Sequence, residues 1–200
     1  MADPFPLYVP PEAPRLFQSE SLLRRFAQLA RWNEGTNLLE FHGSLGGLAI
    51  ARTLSCRLTV VEPHPRLADA LKERVGLLGA EKKVVVQNSP MGSAELAQQA
   101  FDGIFSFGRV IGVADQVCRQ WRPFLAEDGR LGISTMVRVG RAINEPVLAQ
   151  WQERLGSSLL PPHELLMSIE AEGFDPELIE ALNEDELAKH YQELETALAT

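Results

Sequence analysis

The 200-residue chain carries 45% hydrophobic and 23% charged residues and a net charge of −8, the profile of one globular domain with enough chain for a substantial core. It has no basic tract, so the counterion replacement behind tight nucleic-acid binding lacks the residues to perform it, and a small or neutral partner fits better. No apolar run approaches the roughly 20 residues of a membrane helix, and the opening MADPFPLYVPPEAP lacks the basic-then-apolar order of a signal peptide.

Prolines at positions 4, 6, 10, 11 and 14 exclude regular structure at the start and predict an extended arm over residues 1–18. Ser19 then caps a helix whose stripe is Leu22, Phe26 and Leu29. An alternation follows. Asn37–Phe41 reads as a strand, Gly46–Leu54 as a helix, and Leu58–Glu62 (LTVVE) as a strand apolar enough for a sheet covered on both faces. A helix from Pro65 repeats Leu67, Leu71, Val75 and Leu78 and stops at Gly79. Lys83–Gln87 and Phe101–Phe107 read as strands, Val113–Leu125 as a helix, and Arg130–Met136 as a fifth strand after the turn Glu127-Asp128-Gly129. Asn144–Leu155 and Pro162–Ala171 read as helices, Glu177–Leu182 as a sixth strand, and Asn183 as the cap of a last helix. Strands separated by helices predict a doubly wound, mostly parallel sheet of six to seven strands with helices on both faces. Cys56 and Cys118 sit in apolar contexts without metal-ligand spacing, which predicts buried free thiols, a reducing cytoplasmic compartment and no metal site.

Ligands of such sheets bind at the carboxyl ends of the strands, where strand order reverses. Four segments reach that edge: Leu39–Gly47, with Glu40 and the small residues Gly43, Ser44, Gly46 and Gly47; Glu62, 22 residues beyond Glu40; Gln87-Asn88-Ser89-Pro90; and Ser106-Phe107-Gly108-Arg109. Small residues let a backbone turn against a ligand, a carboxylate after the second strand can accept two ribose hydroxyls, and Asn88 and Ser89 can face an adenine. Bland roles stand beside these. Glu40 can cap the next helix, and His42 and His64 can be structural or solvated. His163 and His190 fit a helix surface, and Trp32, Trp121 and Trp151 fit core or lid packing.

From Asn37 to Met136 the sequence resembles the class I S-adenosylmethionine-dependent methyltransferases, with a similar tail in LLMSIEAEGF. The family's D/E-x-G-x-G-x-G loop maps onto Glu40, His42, Ser44 and Gly46, with two of its three glycines replaced by His42 and Ser44. The resemblance implies a Rossmann-like fold and S-adenosyl-L-methionine as cofactor. Its contacts would be Glu40, His42, Gly43, Ser44, Gly46, the ribose-binding Glu62 with Pro63 in VVEPHP, Asn88, Ser89, Ser106 and Phe107. It further implies methyl transfer to a small-molecule acceptor, with residues 37–136 as cofactor half and 19–36 and 137–200 as acceptor and lid elements of one domain. Tyr8, Phe17, Arg109 and Trp151 are candidates for the acceptor lining, and spacing names no catalytic residue. The alternative is a catalytically inactive methyltransferase-like binding or regulatory protein, motivated by His42 and Ser44. A nicotinamide-dependent oxidoreductase ranks last, because G-x-G-x-x-G needs glycine where those two residues stand.

Overall fold

The computed structural model describes residues 20–111, 114–140, 144–155 and 158–181. The expected arm, Ser19, and the helix from Asn183 lie outside them. The elements run α1 (Glu20–Leu29), β1 (Asn37–Phe41), α2 (Leu45–Leu54), β2 (Arg57–Val61), α3 (Pro65–Leu77), β3 (Val84–Gln87), β4 (Phe101–Ile111), α4 (Ala114–Trp121), β5 (Leu125–Thr135), α5 (Glu145–Leu155) and α6 (Pro162–Ala171). The strands form one sheet of order β3-β2-β1-β4-β5, parallel throughout, so strand order reverses between β1 and β4.

Side-chain alternation along the strands builds two cores. Leu38, Leu58, Val60 and Phe105 face one layer with Leu23 and Ala27 of α1, Leu48 and Ala51 of α2, and Leu71 and Val75 of α3. Leu39, Phe41, Val61 and Ile104 face the other, with Val117 and Trp121 of α4. There Phe41 stacks on Trp121 with ring centroids 4.3 Å apart, and burying a side chain of this size stabilises by roughly 1.5–3 kcal/mol. On the first face Trp32 meets Phe26 edge-on and lies tilted against Phe105.

The structure differs from the sequence expectation at four places. β4 runs on to Ile111 because its pairing with β5 resumes at Val110↔Ser134 and Ile111↔Thr135, so Ser106-Phe107-Gly108-Arg109, expected after a fourth strand ending at Phe107, lies within the strand or at its bulge. The sheet has five strands among the described residues, not six or seven, and 177–181 is no strand. Glu177 pairs with Arg130 on β5 at 3.0 Å and Glu180 with Arg25 on α1 at 3.1 Å, so this segment runs across the sheet edge rather than along it. Leu178 and Ile179 stay half exposed, which removes the burial that would favour a sixth strand. The turn Glu127-Asp128-Gly129 falls within β5: Phe101 pairs with Leu125 and Gly103 with Arg130, so the chain bulges between them. The fourth helix ends at Trp121, where Pro123 follows in a 3₁₀ turn over Arg122–Phe124.

Candidate functional site

The turn after β1 and the end of β2 are neighbours. Phe41 pairs with Val61, and the His42 N–H donates to Val61 O at 3.0 Å, which brings His42 beside Glu62 in register. The Glu62 N–H in turn donates to Gln87 O at the end of β3. Parallel pairing therefore collects the turn at 42–44, Glu62 and Asn88 at one edge.

Glu40 points under the turn. It is fully buried and accepts from Ser44 Oγ at 2.5 Å, while Ser44 Oγ accepts from the Gly47 N–H at 3.0 Å as the N-cap of α2. A Cβ at Gly47 would collide with the Glu40 carboxylate, so glycine is what lets the acid approach the helix end. The positive end of the α2 dipole faces the buried Glu40 carboxyl.

His42 has φ +59, the left-handed conformation that glycine adopts without strain. Its side chain is buried, and Nδ1 lies 3.2 Å from Ser106 Oγ on β4, across the reversal point. Next to it, a Cβ at Gly43 would collide with Val60 and Leu71, which holds the turn tight against β2 and α3. Gly46 abuts Leu23 of α1 in the same way.

Glu62 is 3% exposed, and its Oε1 accepts from the His64 N–H at 2.9 Å. Asn88 Nδ2 donates to Glu62 O, so Asn88 ties the ends of β2 and β3 together. Ser89 Oγ donates to Pro90 O, and Pro63 is half-buried while His64 is exposed at the N-cap of α3. Phe107 packs against Phe26 and Phe105 in the core of the α1 layer. Of the acceptor candidates, Trp151 is half-buried on α5; Tyr8 and Phe17 lie outside the described residues, and of Arg109 only the backbone, within β4, is described. Among the described residues no His, Cys, Asp and Glu cluster could hold a metal, and no helix is long and apolar enough to cross a membrane.

No sequence-family model matches the chain, and no curated protein matches it in sequence. Solved structures do match its fold. A putative sarcosine dimethylglycine methyltransferase from Galdieria sulphuraria aligns with TM-score 0.73 and 15% identity over 91% of this chain and 68% of its own. A geranyl diphosphate methyltransferase in complex with SAM gives 0.65 and 15% over 80% and 66%. The fold is that of the class I methyltransferases. The [4+2]-cyclase SpnF aligns as well, with TM-score 0.70 and 18% identity over 89% of this chain and 66% of its own. The chain thus spans just under two thirds of the length of the cyclase and of the geranyl diphosphate enzyme.

Within this methyltransferase fold the residues present fit an adenosyl ligand on two counts. The turn keeps a glycine-like backbone path at His42. A buried carboxylate, Glu62, stands at the end of β2, oriented by its own loop. Sequence reasoning gave no reason to single out Arg138, the half-buried residue beyond β5. The rule that drew attention to the strand ends could have found it, since it lies three residues beyond β5, at the end of the sheet where Glu62 follows β2.

Proposed function

We propose that the chain transfers a methyl group from S-adenosyl-L-methionine to a small-molecule acceptor. The observation that carries this reading is the register Phe41↔Val61, which sets the turn at 42–44 and the Glu62 carboxylate side by side at the carboxyl edge, next to the reversal between β1 and β4. The cofactor, when bound, supplies a sulfonium whose methyl carbon is already electrophilic. Glu62, fixed by the His64 N–H, is the acceptor for the ribose hydroxyls. The turn 42–44 and Gly46 would hold the methionine part, with Ser106 behind the turn on His42. Asn88, Ser89 and Pro63 would border the adenine. Glu40 acts through Ser44, holding the turn and the start of α2 in place. The chain's contribution is to align the reacting atoms and exclude water, which needs no metal and no nucleophilic triad. The free, buried thiols of Cys56 and Cys118 support a cytoplasmic setting.

Isothermal titration with S-adenosylmethionine and S-adenosylhomocysteine tests this reading. Both bind the unaltered protein, and Glu62→Ala weakens both at least tenfold; unchanged affinity in that variant overturns the assignment. A second reading, an inactive methyltransferase-like binding protein, is favoured by the His42–Ser106 contact, which spans the reversal point where a ligand would lie. Absence of binding by either nucleoside selects it.

A further inference from the structure

The carboxyl edge of the sheet holds a cation that the site described above does not use. Of the lysines and arginines whose side chains are described, Arg138 alone is half-buried rather than exposed. Its guanidinium makes no hydrogen bond or ion pair with the described residues, whereas the exposed Arg25, Arg119, Arg122 and Arg130 each bind a glutamate carboxylate or a carbonyl. Its backbone is fixed: the Arg138 N–H donates to Leu160 O at 2.9 Å, which joins the segment after β5 to the chain entering α6. Because β1, β2, β4 and β5 are parallel, a residue following β5 stands at the same edge as Glu62 and the turn after β1.

A guanidinium does not shed its proton in a folded protein. Half-burial strips part of its water, and a group that cannot neutralise itself recovers that cost from an anion. Its planar fork of donors matches a carboxylate or a phosphate. The chain as a whole, at −8, repels anions, so an anionic ligand needs a local cation to be held at all.

We propose that Arg138 anchors an anionic group, carboxylate or phosphate, of the methyl acceptor. The proposal rests on the methyl-transfer reading for the word acceptor, and on the cation's position for the anion. It narrows the substrate class to small molecules that carry a negative charge apart from the atom that is methylated.

The test is nuclear magnetic resonance of the full chain labelled with ¹⁵N-arginine, following the Arg138 Nε–Hε signal, identified by its disappearance in Arg138→Lys. Sodium acetate, inorganic phosphate and sodium chloride are titrated separately. The signal shifts saturably with acetate or phosphate and only drifts with chloride; saturation by acetate alone assigns a carboxylate, by phosphate alone a phosphate. Linear drift with all three, or equal saturation by chloride, overturns the proposal. Arg138→Gln provides a second measurement through the backbone amides of residues 136–140, which respond saturably in the unaltered protein and not in the variant. S-adenosylhomocysteine titration of the unaltered protein is read separately. Nucleoside binding without a saturable anion shift sinks this proposal alone; a saturable shift without nucleoside binding sinks the transferase reading alone.

Discussion

His42 Nδ1 lies 3.2 Å from Ser106 Oγ, joining the end of β1 to β4 across the point where strand order reverses. The same histidine holds φ +59. For a residue with a Cβ that conformation costs about 1–2 kcal/mol, and it persists where the surroundings over-determine it. Here the Val61 carbonyl holds its N–H and Ser106 holds its ring.

That pairing separates backbone from side chain in a mutation series. His42→Ala keeps the strain and loses the ring contact, so it destabilises. His42→Gly loses the contact but removes the strain, so it is more stable than His42→Ala by about 1–2 kcal/mol. Urea unfolding of the two variants measures the difference. If glycine is no better than alanine, the left-handed turn is not a source of strain.

Ser44 serves two partners at once, donating to Glu40 and accepting from Gly47. Ser44→Ala therefore removes a helix cap and deprives a fully buried carboxylate of a donor, a combined cost of about 1–3 kcal/mol. Ser44→Thr keeps the hydroxyl and restores part of it. Equal unfolding midpoints for Ser44→Ala and the unaltered protein would show that neither bond matters to stability.

How far the sequence carries depends on whether a signal is local. NLLEF becomes β1 and PHELLMSIEA becomes α6 with the bounds the pattern predicts, because apolar periodicity and a proline start are properties of the segment itself. The placement of the two acids was legible for the same reason: Glu40 stands one residue before the end of β1 and Glu62 directly follows β2. What Glu40 touches was not, since its direction depends on Gly47 folding back over it. The 177–181 segment carries an apolar pair suited to a strand, yet Arg130 and Arg25 lie more than 40 residues away in sequence and draw it across the edge. Ion pairs of that separation leave no trace in local pattern.

The two thiols differ from reactive cysteines in a measurable way. Burial pushes the Cys118 thiol up to about 12, with Asp115 and Glu172 adding to the effect, and burial also raises Cys56. Both stay protonated in the folded chain at neutral pH and resist alkylation, since the thiolate is the nucleophile. A disulfide-exchange reagent at pH 8 titrates neither thiol in the native protein and both after unfolding. The sign of the pH dependence follows: the folded pKa is raised, so this contribution is whole below the ordinary thiol value of 9.0 and is lost as pH climbs from there towards about 12. Cys118→Ala flattens the alkaline decline in stability over that window; an unchanged slope contradicts it.

The segment from Glu172 to Glu180 ties three layers together. Glu172 accepts from Arg119 of α4 at both carboxylate oxygens, from Nε and Nη2 along one guanidinium edge, and gives its carbonyl to Arg122, Glu177 binds Arg130 of the edge strand β5, and Glu180 binds Arg25 of α1 on the opposite face. Exposed pairs of this kind are individually weak and screened by salt, so the segment is held by their number. Hydrogen exchange of the amides at 174–181 therefore speeds up in Glu172→Gln and in molar salt, while β1 and β2 keep their protection. Acid has the same effect with a defined sign. The hydrogen bond from Arg119 holds the Glu172 carboxyl below the usual glutamate range, so its contribution is present above the ordinary glutamate value and is lost as pH falls through the depressed one. Exchange at 174–181 that is indifferent to the variant, to salt and to pH would mean that packing at Phe174, which contacts the α4 core, fastens the segment by itself.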